Sequence, residues 1–262
     1  MKTIDLNGIT IRYRIEGSGP WVTLSHSLTC DLTMWDDLAA VLAPDFTVLR
    51  YDTRGHGSSS APAGAYSFAQ LTADVVDLLD ALDVESTHFV GLSMGGMIGQ
   101  HLALAAPQLV DKLVIANSTS RIPPEAGPLW DERIAIVQTQ GCAGVVEGTL
   151  ARWFTPDFRS AQPDAVARIA GQIRNTSAAG YIGCAGAIRA LDITGKIGGI
   201  KAPTLVIAGA DDPGTPPAMS EVIAGAISGA RLEIIPAASH LSCIEQPEIF
   251  NRLVADFLKI DT

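Results

Sequence analysis

The chain has 262 residues, 47% of them apolar and 18% charged, enough material for the core of one large domain or two small ones. Its 18 Lys and Arg against 28 Asp and Glu give a formal net charge of -10, which opposes binding to nucleic-acid phosphates and makes an anionic small molecule unwelcome unless a local arginine offsets the field. No window approaches the roughly 20 apolar residues of a membrane span, and the opening "MKTIDLNGITIRYRIEGSGPW" lacks the cationic-then-apolar order of a signal peptide, so a soluble, cytoplasmic protein with no membrane partner is expected.

In chain order, "TIDL" and "ITIRYRI" flank Asn7-Gly8, a two-residue hairpin signal that predicts an antiparallel edge. The strand-like run "WVTLS" leads into the loop "HSLTCDLTMW", and "FTVLRYD" follows. A helical pattern covers residues 67–82, then "THFVGL" breaks into "SMGG" before a second helical pattern over 94–105 and the run "KLVIANS". From about Arg121 to Ile193 the chain reads as helices without a clear strand, interrupted by "IPPEAGP", "FTPDF" and several glycines. Strand patterning returns in "TLVIAG" and "RLEIIP", with helices expected over 217–227 and 247–259. Eight strand-like runs alternating with helices indicate an α/β fold with a mostly parallel sheet, interrupted by a helical cap. The expected division is 1–120 for the first part of the core, 121–195 for the cap and 196–262 for the second part.

The most pointed local signal is Gly91-x-Ser93-x-Gly95 at the end of an apolar run. Residues without Cβ two positions either side of Ser93 permit a turn so sharp that the serine adopts a strained backbone and presents its hydroxyl at the tip. A serine nucleophile needs a base, and the base needs a carboxylate to orient it and stabilise its charged form. Open α/β sheets place such groups at the C-terminal ends of strands. After "TLVIAG" come Asp211 and Asp212, and after "RLEIIP" comes His240, giving the chain order Ser, Asp, His that suits this elbow. Either aspartate suits the spacing, and both precede Pro213 as turn formers would. The two donors for an oxyanion are expected from the backbone N–H of Met94, at a helix start, and of Leu28, in the loop after "WVTLS". His26 and Ser27 are expected to brace that loop. The five histidines show no metal-ligand spacing, there is no phosphate-binding or dinucleotide glycine motif, and the four dispersed cysteines are expected to be reduced packing residues. No cofactor or metal is implied.

The motifs "SHSLTCDLTMW", "RYDTRGHGSS", "GLSMGG", "GADDPGTPP" and "ASHLSCIEQPEIF" together resemble the α/β-hydrolase fold family across essentially the whole chain. The segments "DLTMW", "LRYDTRGHG", "ARWFTPDF" and "AGYIGCAGAI" are similar to the 3-oxoadipate enol-lactonases. That resemblance implies hydrolysis of a small lactone by Ser93, His240 and Asp212, since in that family the acid follows the glycine by three residues. It implies also a cation for the substrate's free carboxylate, with Arg54, Arg133, Arg152 and Arg189 available and Trp130 and Trp153 as apolar walls. Arg133 is favoured because Trp130 lies one helical turn before it. The chain departs from the family at His26, at Thr29 after Leu28, and at Ala185-Gly186, where an acidic residue is usual. Other readings of the same motifs are an esterase or lactonase of neutral substrates, a carbon–carbon bond hydrolase and a small-molecule receptor. Oligomeric state is not specified by the sequence.

Overall fold

The structure, a computed structural model, describes residues 1–259; the last three positions of the expected second core segment lie outside the described residues. Eight strands form one sheet: β1 (Lys2–Leu6), β2 (Ile9–Gly17), β3 (Trp21–Ser25), β4 (Thr47–Tyr51), β5 (Thr87–Leu92), β6 (Val110–Ala116), β7 (Thr204–Gly209) and β8 (Arg231–Ile235). Their spatial order is β1-β2-β4-β3-β5-β6-β7-β8. Only the pairs β1–β2 and β2–β4 are antiparallel. The β1–β2 hairpin turns at Asn7 and Gly8, with φ of 50° and 83°, the double positive φ that a tight two-residue turn needs. Strands β3, β5, β6 and β7 are near-continuous apolar runs because both faces of a parallel sheet are covered.

Helices α1 (Asp36–Leu42), α2 (Phe68–Ala81) and α3 (Met94–Ala105) belong to the first half of the chain. The expected helix at 67–82 is α2, capped by Ser67, whose hydroxyl accepts from Gln70 N. Between β6 and β7 the chain forms α4 (Gly127–Gln140), α5 (Val146–Trp153), α6 (Pro156–Ala161), α7 (Pro163–Asn175) and α8 (Ala178–Arg189). This segment leaves and rejoins the sheet side by side, where Arg121 and Asp192 form an isolated antiparallel bridge. The chain closes with α9 (Pro217–Ala226), α10 (Ser242–Glu245) and α11 (Pro247–Lys259). Helices α1 and α10, of seven and four residues, escaped the sequence reading because a helical hydrophobic pattern needs a window of about 11–18 residues to declare itself.

The helices from 127 to 189 stand over the C-terminal edge of the sheet. Thr176, just after α7, donates its hydroxyl to Thr29 O (3.3 Å), and Leu241 N donates to Trp153 O (3.2 Å). Helix α8 comes so close to the loop after β4 that a Cβ on Gly55 would stand 2.4 Å from Gly180 Cα; Gly55 also has φ +84°, so both its space and its backbone require glycine. None of the described helices is long and apolar enough to cross a membrane.

Candidate active site

Ser93 joins β5 to α3 with φ 55° and ψ -113°, a conformation that costs a residue with a Cβ on the order of 1–3 kcal/mol. The turn holds it there: Ser93 N donates to Ala116 O (2.8 Å), and Ser93 O accepts from Met97 N and from the Ser118 hydroxyl. The flanking glycines are where the chain crosses itself. A Cβ on Gly91 would lie 2.2 Å from Gly95 O, and one on Gly95 would lie 2.0 Å from Ser25 O on β3. Ser93 is only 8% exposed, so its hydroxyl sits on the floor of a cavity and not on an open surface.

Asp212 lies past the end of β7 and His240 past the end of β8. His240 Nδ1–H donates to Asp212 Oδ2 at 2.8 Å, with both side chains buried. Asp212 Oδ1 accepts from Gly214 N (2.8 Å) and Thr215 N (3.0 Å), and its Oδ2 accepts also from the Thr215 hydroxyl (2.7 Å) and Asn117 Nδ2 (3.1 Å). Burial alone pushes this carboxyl up, but the His240 imidazole and these donors outweigh it and hold Asp212 well below the usual carboxylate range. The aspartate is therefore a fixed anion that accepts the Nδ1 proton, leaving Nε2 as the free acceptor of the ring. Asp211, by contrast, is exposed. The Trp153 ring stacks on His240 with centroids 5.7 Å apart.

Leu28 and Thr29 line the same cavity as Ser93 and His240, which encloses about 330 Å³. Thr29 has φ 62°, and its hydroxyl donates to Leu28 O (2.6 Å). His26 lies beneath this loop, not in the cavity: its Nδ1–H donates to Ser27 O (2.7 Å) and its Nε2 accepts from Thr53 N (3.0 Å). Burial lowers its pKa, so it braces the loop as a neutral ring. Met94 opens α3 with its side chain fully buried, leaving its backbone N–H as the group near Ser93.

Trp130, Arg133, Arg152, Trp153 and Tyr181 also line the cavity. The Arg133 guanidinium stacks over Trp130 at 5.1 Å, and Arg152 donates to the Thr149 hydroxyl (3.3 Å). Among the described residues neither has a carboxylate partner. Burial lowers the pKa of Arg133, and burial together with the Arg133 charge lowers Arg152 to about 10. Arg54 does not reach the cavity, contrary to its candidacy as a substrate ligand. Its Nε and Nη2 each donate to Asp74 at 2.5 Å, and it packs over Tyr66. Arg189 is likewise committed, to Asp131. Gly186 does not line the cavity, whereas Thr29 does. The described residues contain no cluster of three or more metal-ligating side chains.

A model of the α/β hydrolase fold matches residues 20–247. The chain belongs to the α/β-hydrolase fold family. This α/β-hydrolase is 36% identical to 3-oxoadipate enol-lactonase 2 of Acinetobacter baylyi, over 98% of its own length and 96% of the relative's. It is 32% identical to a putative carbamate hydrolase of Variovorax paradoxus, covering 95% of this chain and 96% of that one. The crystal structure of the enol-lactonase from Burkholderia xenovorans superimposes with a TM-score of 0.95 at 40% identity, covering 99% of this chain and 100% of that one. The resemblance read from the motifs therefore holds for the family and extends to similarity with enol-lactonases.

Proposed function

We propose that this α/β-hydrolase is a serine hydrolase that opens a small anionic enol-lactone, of the 3-oxoadipate enol-lactone type, to the corresponding keto acid. Ser93 Oγ attacks the ring carbonyl while His240 Nε2 takes its proton, and Asp212 stabilises the imidazolium that forms. The N–H groups of Leu28 and Met94 receive the oxyanion. Collapse of the tetrahedral intermediate breaks the ring C–O bond; the leaving group is an enolate that takes a proton from His240 and becomes a ketone. Water deprotonated by His240 then attacks the acyl-Ser93 ester, and the acid departs with Ser93 reprotonated. Residues 121–195 act as a cap that closes the cavity over the substrate. Arg133, steered by Trp130 and walled by Trp153, receives the carboxylate outside the ring.

The observation that carries this reading is the bond from His240 Nδ1 to Asp212 beside a cavity lined by His240, Ser93 and Arg133, the last without a carboxylate partner among the described residues. It supports the reading because an imidazole, a serine hydroxyl and a guanidinium line one small volume. The similarity to enol-lactonases supports the lactone, and that to a putative carbamate hydrolase favours a second reading, in which the same groups cleave a small carbamate. The test compares wild type and Ser93→Ala on 3-oxoadipate enol-lactone, a p-nitrophenyl ester of similar size and a small carbamate. Efficient, Ser93-dependent lactone opening with poor turnover of the other two is the expected result. Preferred turnover of the carbamate would transfer the assignment to the second reading.

A further inference from the structure

The His240 loop is fastened to the segment 152–155 residue by residue. The Ser239 hydroxyl donates to Arg152 O (2.7 Å), the His240 ring stacks on Trp153, and Leu241 N donates to Trp153 O (3.2 Å). A single carboxylate completes the joint. Glu245, at the end of α10, folds back so that Oε2 accepts from Ser239 N, while Oε1 accepts from both Thr155 N (2.7 Å) and the Thr155 hydroxyl (2.8 Å). Thr155 lies two residues beyond Trp153, the last residue of α5, whose side chain walls the cavity together with that of Arg152.

Glu245 is 7% exposed and, among the described residues, has no cation within ion-pair distance. A buried anion held only by hydrogen bonds is expensive to desolvate, and an apolar residue would fill the same volume at lower cost. What an apolar residue lacks is the pair of oxygens that meet donors from two separate segments at fixed distances. Burial raises the pKa of Glu245, Asp211 adds to the rise, and the Thr155 and Ser239 donors oppose it.

We propose that Glu245 is a positioning residue whose carboxylate registers the His240 loop against the cavity wall formed by Arg152 and Trp153. The inference rests on the reading of His240 as the base. It goes beyond that reading, because it makes the base and the substrate-facing wall one mechanical unit, joined through a residue that touches neither substrate nor reacting atoms. Gln at position 245 preserves the shape but replaces one acceptor by an NH₂ donor, which must then face Ser239 N–H or the two donors of Thr155.

The test uses the full chain, with a p-nitrophenyl ester as substrate and a serine-directed phosphonate to count competent sites. Ser93→Ala comes first: continued turnover would reject the Ser93–His240 reading itself, and with it this proposal, by a signature separate from any result at Glu245. With turnover abolished there, Glu245→Gln is expected to lower kcat per titrated site about 10- to 100-fold with KM little changed, the scale set by a misplacement of about 1 Å at a catalytic group. Thr155→Val, which removes one of the three donors, lowers kcat less, and Thr155→Ser restores it. The double variant Glu245→Gln/Thr155→Val is no slower than Glu245→Gln alone, because both cut the same link. A merely structural carboxylate would give a lower melting temperature with unchanged kcat per titrated site, or independent, multiplying effects of the two substitutions. Either result overturns the proposal, and the Thr155 pair decides it alone if Glu245→Gln does not fold.

Discussion

Asp212 and His240 meet through one 2.8 Å hydrogen bond, and the four other hydrogen bonds that Asp212 accepts leave its carboxylate no freedom to turn away. The adjacent Asp211 shares the loop but is exposed, and its backbone N–H donates to Ala238 O. Asp212→Asn is therefore expected to lower kcat by roughly 10³- to 10⁴-fold, because an amide NH₂ facing Nδ1 favours the tautomer that blocks Nε2 as acceptor. Asp211→Asn is expected to leave kcat within about twofold, as surface changes away from a hydrogen-bond network do. Steady-state kinetics on a p-nitrophenyl ester separates the two, and the reverse ranking would move the acid by one residue.

The same carboxylate sets a pH dependence of stability. Its folded-state pKa lies below its unfolded value, which is about 3.9 for aspartate, so its contribution is complete above pH 4 and is lost as pH falls through the folded value. Melting curves between about pH 4 and 2 are expected to fall more steeply for wild type than for Asp212→Asn. Parallel curves would show that the Asp212 network adds nothing to stability.

Ser93 carries a strained backbone at φ 55° and ψ -113°. Ser93→Gly removes the Cβ that makes φ 55° costly, and against this sets the greater freedom of glycine in the unfolded chain. The balance is a gain of about 1 kcal/mol, or roughly 2–4 °C in melting temperature for a chain of this size, with all hydrolysis lost. Differential scanning calorimetry of the variant beside Ser93→Ala makes the comparison, and a lower melting temperature for Ser93→Gly would show the turn to be unstrained.

What the sequence made legible followed local rules. Strands β5, β6 and β7 announce themselves as apolar runs because they are buried on both faces, and the hairpin follows from Asn7-Gly8. The elbow is legible because Gly91 and Gly95 are demanded by crossings only a few residues or one strand away. Partnerships across the chain were not. Nothing near Arg54 reveals that Asp74, on the inner face of α2, claims its guanidinium, and nothing in "IEQPEIF" reveals that Glu245 reaches Thr155, 90 positions earlier in the chain. Asn117 and Thr215, which hydrogen-bond Asp212, were overlooked for the same reason: one looks like an ordinary residue at the end of β6 and the other like an ordinary loop residue before α9. Only the resemblance to a family chose between Asp211 and Asp212, since both fit the spacing and the choice depends on which side chain the N–H groups of Gly214 and Thr215 draw inward.

The Arg54–Asp74 pair makes a prediction about folding. Both side chains are largely buried, and removing one partner leaves the other charge uncompensated. Arg54→Met is expected to destabilise the protein by about 3–5 kcal/mol, and the double variant Arg54→Met/Asp74→Leu to recover much of that loss. Denaturant unfolding measures both. KM per folded enzyme for an anionic lactone should be unchanged in the double variant; a selective rise in that KM would return Arg54 to the list of substrate ligands.

Arg133 and Arg152 carry the opposite expectation. They face one cavity, repel one another and lack carboxylate partners among the described residues, in a chain with ten more acidic than basic side chains. Such a pair lowers its own energy by receiving an anion, and a charge-assisted hydrogen bond contributes about 1.5–3 kcal/mol. Arg133→Ala should therefore raise KM for an anionic lactone roughly 10- to 100-fold, leave a neutral ester of equal size nearly untouched, and keep kcat for both close to wild type. Arg133→Lys should recover part of the effect, since it restores the charge but not the bidentate fork. The effect should shrink for Arg133→Ala if Arg152 takes over the carboxylate, so the double variant Arg133→Ala/Arg152→Ala is measured beside it. Equal changes in KM for the anionic and the neutral substrate in the double variant would mean that this wall shapes the cavity without recognising charge, and the preference for an anionic lactone would fall.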